Sequence, residues 1–116
     1  MTTRIANKAA RSMVENRRPF EGSHLFAREH VPPHGHTQLY VVYSYGEHFP
    51  IYIAETDVQT KKVTWYANAD KYSRSTSRHQ SQAAPWHGIY CTPMTTGAMR
   101  RIAREGIAGL TVKGEY

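Results

Sequence analysis

Three runs rich in β-branched and aromatic residues, each closed by a short polar turn, constrain this chain more than any other feature. They are Leu39-Tyr40-Val41-Val42-Tyr43-Ser44-Tyr45, Phe49-Pro50-Ile51-Tyr52-Ile53-Ala54 and Lys62-Val63-Thr64-Trp65-Tyr66-Ala67. Such residues suit a pleated, half-buried surface, and clusters of polar and glycine residues mark the reversals between strands. Gly46-Glu47-His48 parts the first two runs and Thr56 to Lys61 the next, so the first pair reads as a hairpin and the third adds an antiparallel strand. The third run alternates with period two, the mark of a strand with one face covered. Pro50 cannot donate to a ladder, which places it at the start of its strand or on an edge.

Helical spacing appears on both sides of this β section. Ile5, Ala9, Ala10, Met13 and Val14 recur as one helix face between Thr2 and Asn16, with Thr2 or Thr3 as cap and Pro19 just beyond. Arg4, Lys8 and Arg11 fall at i, i+4 and i+7 of that helix, a positive stripe that Arg17 and Arg18 extend. Phe20, Leu25 and Phe26 read as core anchors of a connector, and Val31-Pro32-Pro33-His34-Gly35-His36 as an irregular loop, because its prolines block helix and central strand alike. Ser77 and Gln80 have capping-box spacing for a short helix from Arg78 to Ala84, after which Trp86 and Tyr90 return to the core. Thr95 or Thr96 caps a last helix through Ala98 to Glu105, stopped by Gly106, and Leu110-Thr111-Val112 reads as a final short strand. The predicted fold is therefore α+β: a three- or four-stranded antiparallel sheet packed with an N-terminal and a C-terminal helix.

At 116 residues, 1–116 form a single domain. No run approaches the roughly 18 apolar residues of a membrane helix, and the first residues lack a secretory apolar region. A cytoplasmic protein with no membrane partner is expected. Cys91 is the sole cysteine, which excludes a disulfide framework and suits a reducing compartment.

Charge narrows the partner. Fifteen Lys and Arg against nine Asp and Glu give +6. Residues 1–30 carry six basic and three acidic groups, 31–70 two and four, and 71–116 seven and two. Basic ends around a mildly acidic middle favour an anionic partner, nucleic acid or an acidic protein face, by attraction that weakens with salt.

Catalytic signatures are sparse. His30, His34 and His36 lie close together, but their spacing is not a helical ligand pair and no carboxylate or thiolate set adjoins them, so neither a metal nor another cofactor is expected. His36 or His79 as general base, with Arg74 or Arg78 on the phosphate, defines a phosphodiesterase alternative. Only His79-Gln80-Ser81 has the His-x-Ser/Thr form that a paired-histidine phosphoesterase would need twice. Cys91 lies in the apolar Gly88-Ile89-Tyr90-Cys91-Thr92-Pro93, the setting of an inert packed thiol, and no Gly-x-Ser-x-Gly elbow or phosphate-cradling glycine loop is present.

The segment from Trp65 to Gln82 is better suited to binding. It sets Ser73, Ser75, Thr76, Ser77, Ser81 and Gln82 beside Lys71, Arg74 and Arg78, a density of donors and cations that a packed core cannot use. Arginine forks engage phosphates or carboxylates, while Trp65, Tyr66 and Tyr72 offer rings for bases or partner pockets. The predicted contact set is Trp65, Tyr72, Arg74, Arg78, His79 and Gln80, with Arg100, Arg101 and Arg104 as a secondary basic patch on one face of the last helix. In the first strand, Tyr43 and Tyr45 share a face and Tyr40 lies on the other, so at least one of them reaches solvent or a polar partner.

Tyr40-Val41-Val42-Tyr43-Ser44-Tyr45-Gly46, Trp65 and Lys71-Tyr72-Ser73-Arg74-Ser75-Thr76-Ser77-Arg78-His79-Gln80 together resemble a small uncharacterised family encoded by phages and prophages. Ser75 departs from that family's pattern, which has threonine there. The resemblance covers about residues 20–85, leaves the first and last helices unmatched and carries no assigned activity. It implies a phage context, in which small proteins without catalytic motifs act by occluding a host machine. The expected function is accordingly a phage protein that binds and sterically inhibits a host defence or nucleic-acid-processing complex, in the manner of an anti-CRISPR protein, and is not an enzyme. A net charge of +6 argues against a DNA mimic, which needs an acidic surface. Direct nucleic-acid binding is the alternative, and the small phosphodiesterase a second.

Overall fold

In the computed structural model, residues 3–6, 9–22, 24–32, 36–46, 49–70 and 91–106 are described. Among the described residues, seven strands form one sheet in sequence order: β1 (Thr3–Arg4), β2 (Phe20–Glu21), β3 (Leu25–His30), β4 (Thr37–Ser44), β5 (Pro50–Asp57), β6 (Val63–Asn68) and β7 (Cys91–Met94). Two helices among the described residues accompany them, α1 (Ala10–Glu15) and α2 (Thr96–Glu105). Neighbouring strands from β2 to β6 are antiparallel, whereas β1 joins β2 and β7 joins β6 in parallel. The α+β class holds, but the sheet is larger than the predicted three or four strands, and mixed.

The middle strands match the predicted runs within a few residues, for a reason visible in the packing. One face of the sheet carries Leu25, Ala27, Tyr40, Val42, Ala54 and Trp65, closed by Ala10 and Val14 of α1. The other carries Leu39, Val41, Ile53 and Tyr66, closed by Met99, Ile102 and Ala103 of α2. With both faces covered, β4 is buried without a break from Leu39 to Val42 and reads as a continuous apolar run rather than an alternating one. Pro50 opens β5 as expected, and the register shifts opposite it between Val42 and Tyr43. No described helix is long and apolar enough to cross a membrane.

The N-terminal helix predicted from Thr2 to Asn16 is a correction. Thr3–Arg4 instead pairs with Phe20–Glu21, Ile5 N–H donates to the Glu21 carbonyl (3.0 Å), and the helix runs only over Ala10–Glu15. Ile5 still packs on the same core as Ala10 and Val14, so the apolar positions were legible while their conformation was not. Helix propensity is a weak prior that a strand edge offering hydrogen bonds overrides. The supposed stripe of Arg4, Lys8 and Arg11 therefore does not lie on one helix: Arg4 belongs to β1, and Lys8 lies outside the described residues. The connector also becomes strand, since β2 and β3 cover Phe20, Leu25 and Phe26. Expectations at His34, for the helix from Arg78 to Ala84, for Trp86 and Tyr90, and for a strand at Leu110–Val112 lie outside the described residues.

α1 ends in a Schellman arrangement: Arg18 N–H donates to the Met13 carbonyl (2.9 Å) and Arg17 N–H to that of Val14 (3.0 Å). The motif forces Arg17 to φ 51°, left-handed backbone that costs an L side chain energy and glycine little. R17G is expected to stabilise the fold by about 0.5–1 kcal/mol, read as a raised thermal midpoint.

α2 is seated at its N-terminus by a polar cluster. Thr95 Oγ1 accepts from Ala98 N–H (3.2 Å), the cap predicted from the sequence. Asp70 Oδ2 accepts from both the backbone N–H and the hydroxyl of Thr96 (2.8 Å each). Buried Asn68 donates through Nδ2 to the Pro50 carbonyl (2.9 Å) and to Thr96 Oγ1 (3.1 Å), tying β5, β6 and the helix together. Gly106 ends α2 at φ 77° and ψ 176°, backbone that glycine alone adopts cheaply.

The Thr96 bonds hold the Asp70 carboxyl below the ordinary carboxylate range. A depressed folded-state pKa contributes stability that is complete above the unfolded value, about pH 4, and is lost as pH falls through the folded one. D70N keeps an acceptor but does not titrate, so its unfolding midpoint is expected to fall less steeply below about pH 4 than that of the parent.

Candidate functional site: a basic cleft between β3 and α2

Alternation along β3 sends Leu25 and Ala27 to the α1 side and Phe26, Arg28 and His30 to the α2 side. β3 pairs with β4 in a register that sets Phe26 beside Tyr43, Arg28 beside Val41 and His30 beside Leu39. α2 lies over β5 and β6 on that face. Between its flank and the end of β3 opens a cleft of about 610 Å³, lined by Arg28, Glu29, His30, Tyr43, Arg100, Ala103 and Arg104. Arg100 and Arg104 are one helical turn apart and exposed, and Ala103 leaves the room between helix and sheet.

His30 closes one end. Its Nε2 stands 3.1 Å from the Arg104 carbonyl, and because a carbonyl only accepts, this nitrogen carries the proton. The bond occupies one of the carbonyls that a helix C-terminus leaves without an intrahelical partner and ties β3 to the last turn of α2. Glu29 is the anionic member of the lining, and its Oε2 accepts from Gln38 Nε2 at 3.0 Å.

Beside the cleft the side chains form two ring pairs across β3 and β4. Phe26 stacks on Tyr43 (centroids 5.1 Å apart, planes at 22°) and His24 on Tyr45 (4.9 Å, 29°). The Arg28 guanidinium lies 5.0 Å from the Phe26 centroid, within cation–π range. Tyr45 lies just beyond the end of β4, with left-handed backbone at φ 67°, and is 53% exposed. Tyr40 faces the α1 core, its hydroxyl donates to the Arg18 carbonyl (2.8 Å), and burial together with Glu29 pushes its pKa well above the usual tyrosine range.

The structure divides the predicted site residues. Trp65 is only 6% exposed and packs in the α1-side core, so it presents no ring to a partner. Tyr72, Arg74, Arg78, His79 and Gln80 lie outside the described residues. Of the secondary patch, Arg100 and Arg104 line the cleft, whereas Arg101 is half-buried and off it. Arg101 stands about 100° round the helix from Arg100 and does not line the cleft with it. Sequence reasoning missed Arg28, and with it Phe26 and His24 as surface side chains. Their alternation along a strand was the available signal, hidden because Arg28-Glu29-His30 lacks β-forming residues.

His36 stands apart, in a hollow of about 160 Å³ with Asp57, Val58 and Gln59. Asp57 there accepts from Gln59 N–H (2.8 Å) and Thr60 N–H (3.0 Å), bonds that lower its pKa and belong to the turn between β5 and β6. Among the described residues no group of three or more His, Cys, Asp or Glu side chains is placed to hold a metal ion. Cys91 is half-buried on β7, and burial pushes its thiol pKa up, away from the thiolate form a nucleophile needs. No protein-family model matches this chain, and neither does any curated protein or solved structure.

Proposed function

We propose that this chain is a small interaction protein of the kind phages encode, which binds a host defence or nucleic-acid-processing complex and blocks it by occupancy. The observation that supports the reading is the grouping of Arg28, Arg100 and Arg104, with His30, around one cleft formed by a strand and a distant helix. Arginine forks arranged in a concavity suit carboxylate or phosphate oxygens, and low-dielectric walls focus their field on an approaching anion. In this proposal Tyr72, Arg74, Arg78, His79 and Gln80, which lie outside the described residues, add contacts to the same partner. The net charge of +6 fits a protein that caps an anionic surface rather than one that imitates it.

The test is capture by the tagged protein from a bacterial lysate, with and without nuclease, followed by assay of the captured complex. Recovery of a stoichiometric, nuclease-resistant protein complex whose activity falls as the purified protein is added supports the proposal. Recovery of nucleic acid alone, abolished by nuclease, overturns it.

A further inference from the structure

We infer that the cleft between β3 and α2, with the ring pairs beside it, is a binding site for single-stranded nucleic acid. The inference rests on the reading above in taking this cleft as the contact face, and it names what the cleft grips.

Three observations converge on an unpaired strand. Arg28, Arg100 and Arg104 line the cleft from two elements, which suits consecutive phosphates better than a single carboxylate. The volume, about 610 Å³, lies within the range of small-ligand sites and takes a short stretch of a strand. Tyr45, 53% exposed, is backed by His24 and held as a platform, while Tyr43, in the cleft wall, is fixed between Phe26 and the α2-side core with part of its surface open to the cleft. Bases stack on such rings only when they are unpaired, as sequence-tolerant single-strand binders use them.

Duplex recognition by α2 is disfavoured by how the helix is seated. A recognition helix reaches base edges with its N-terminal residues. Here Thr96 and Met99 are buried, and the N-terminus is occupied by the Asp70 carboxylate, which repels phosphate. Arg100 and Arg104 lie on the flank that faces β3. Glu29, the anion of the lining, belongs to the alternate set of β3 residues, and its carboxylate is held by Gln38.

Fluorescence anisotropy with a labelled oligothymidylate, an oligouridylate and a DNA duplex of equal length tests the inference. Both single strands are expected to bind more tightly than the duplex at the same ionic strength. In R100Q/R104Q the slope of log K against log salt should fall by about 1.4, two single-strand phosphate contacts at ~0.7 each. Tyr43→Leu, which keeps the apolar wall, should weaken single-strand binding about tenfold while leaving that slope unchanged. Tyr45→Asn, a residue suited to the left-handed backbone there (φ 67°), should do the same on a smaller scale without disturbing the fold. Equal binding of single strand and duplex, with both tyrosine variants unchanged, overturns the stacking site. Failure of the folded protein to bind any oligonucleotide also overturns it, yet leaves the proposed inhibitor standing if a nuclease-resistant complex is captured.

Discussion

Reversing the charge at Arg100 and Arg104 together is expected to weaken partner binding by at least about a hundredfold at low salt, and by less as salt rises. Both side chains are exposed on one flank of α2, so the variant removes two attractive charges and installs two repulsive ones without opening the core. Losses of about 1.4 kcal/mol per position multiply to that factor. Glutamate near a helix C-terminus opposes the macrodipole, so R104E also costs stability, on the order of 0.3–1 kcal/mol. R100Q/R104Q, which removes charge without that penalty, should then lose less binding than the double reversal. Titration of the captured complex, with the far-ultraviolet spectrum confirming the helix, measures this. Unchanged affinity in a folded double reversal would show that the cleft is not the contact face.

The largest effect on stability is expected at Ile102. Its side chain is fully buried among Leu39, Val41, Ile53, Tyr66 and Met99, where α2 meets the sheet. I102A removes that hydrocarbon and leaves a cavity the surrounding strands cannot fill, costing about 3–4 kcal/mol. For a domain of this length, total stability is on the order of 6–17 kcal/mol, so the change is a large share. Denaturant titration should show a lowered midpoint with an unchanged slope, and I102V should cost about 1 kcal/mol. A loss below 1 kcal/mol in I102A would mean that α2 is not seated as described. Binding should fall in parallel near the unfolding midpoint, because Arg100 and Arg104 are carried by the same helix.

Particular residues show why some elements were legible and others were not. Leu39 to Ala67 was read correctly because strand character there is written twice, in β-branched and aromatic side chains and in the polar turns between them. α2 was read because its cap, its apolar spacing and its terminal Gly106 are local signals. β7 was missed: Cys91-Thr92-Pro93-Met94 contains a proline and forms a strand only because β6 offers a parallel partner, with Trp65 opposite Cys91 and Ala67 opposite Pro93. A proline is tolerated there because β7 is the outermost strand among the described residues, where a missing N–H interrupts no central ladder. β3 was missed because its outer half is charged and its pairing is set by β4.

The sequence by itself determined the class of fold, the central antiparallel strands, the last helix with its Thr95 cap, and the net positive charge. Periodicity, turn chemistry and net charge act over a few residues or over the whole chain, and neither requires knowledge of what lies next to what. The tertiary structure alone decided that Thr3–Arg4 pairs instead of coiling, that Trp65 is core, and that Arg28 meets Arg100 and Arg104 in one cleft. His30 and Arg104, bonded across that cleft, are 74 residues apart. Such juxtapositions depend on which strand edges pair and which faces are covered, and only the folded chain settles that competition.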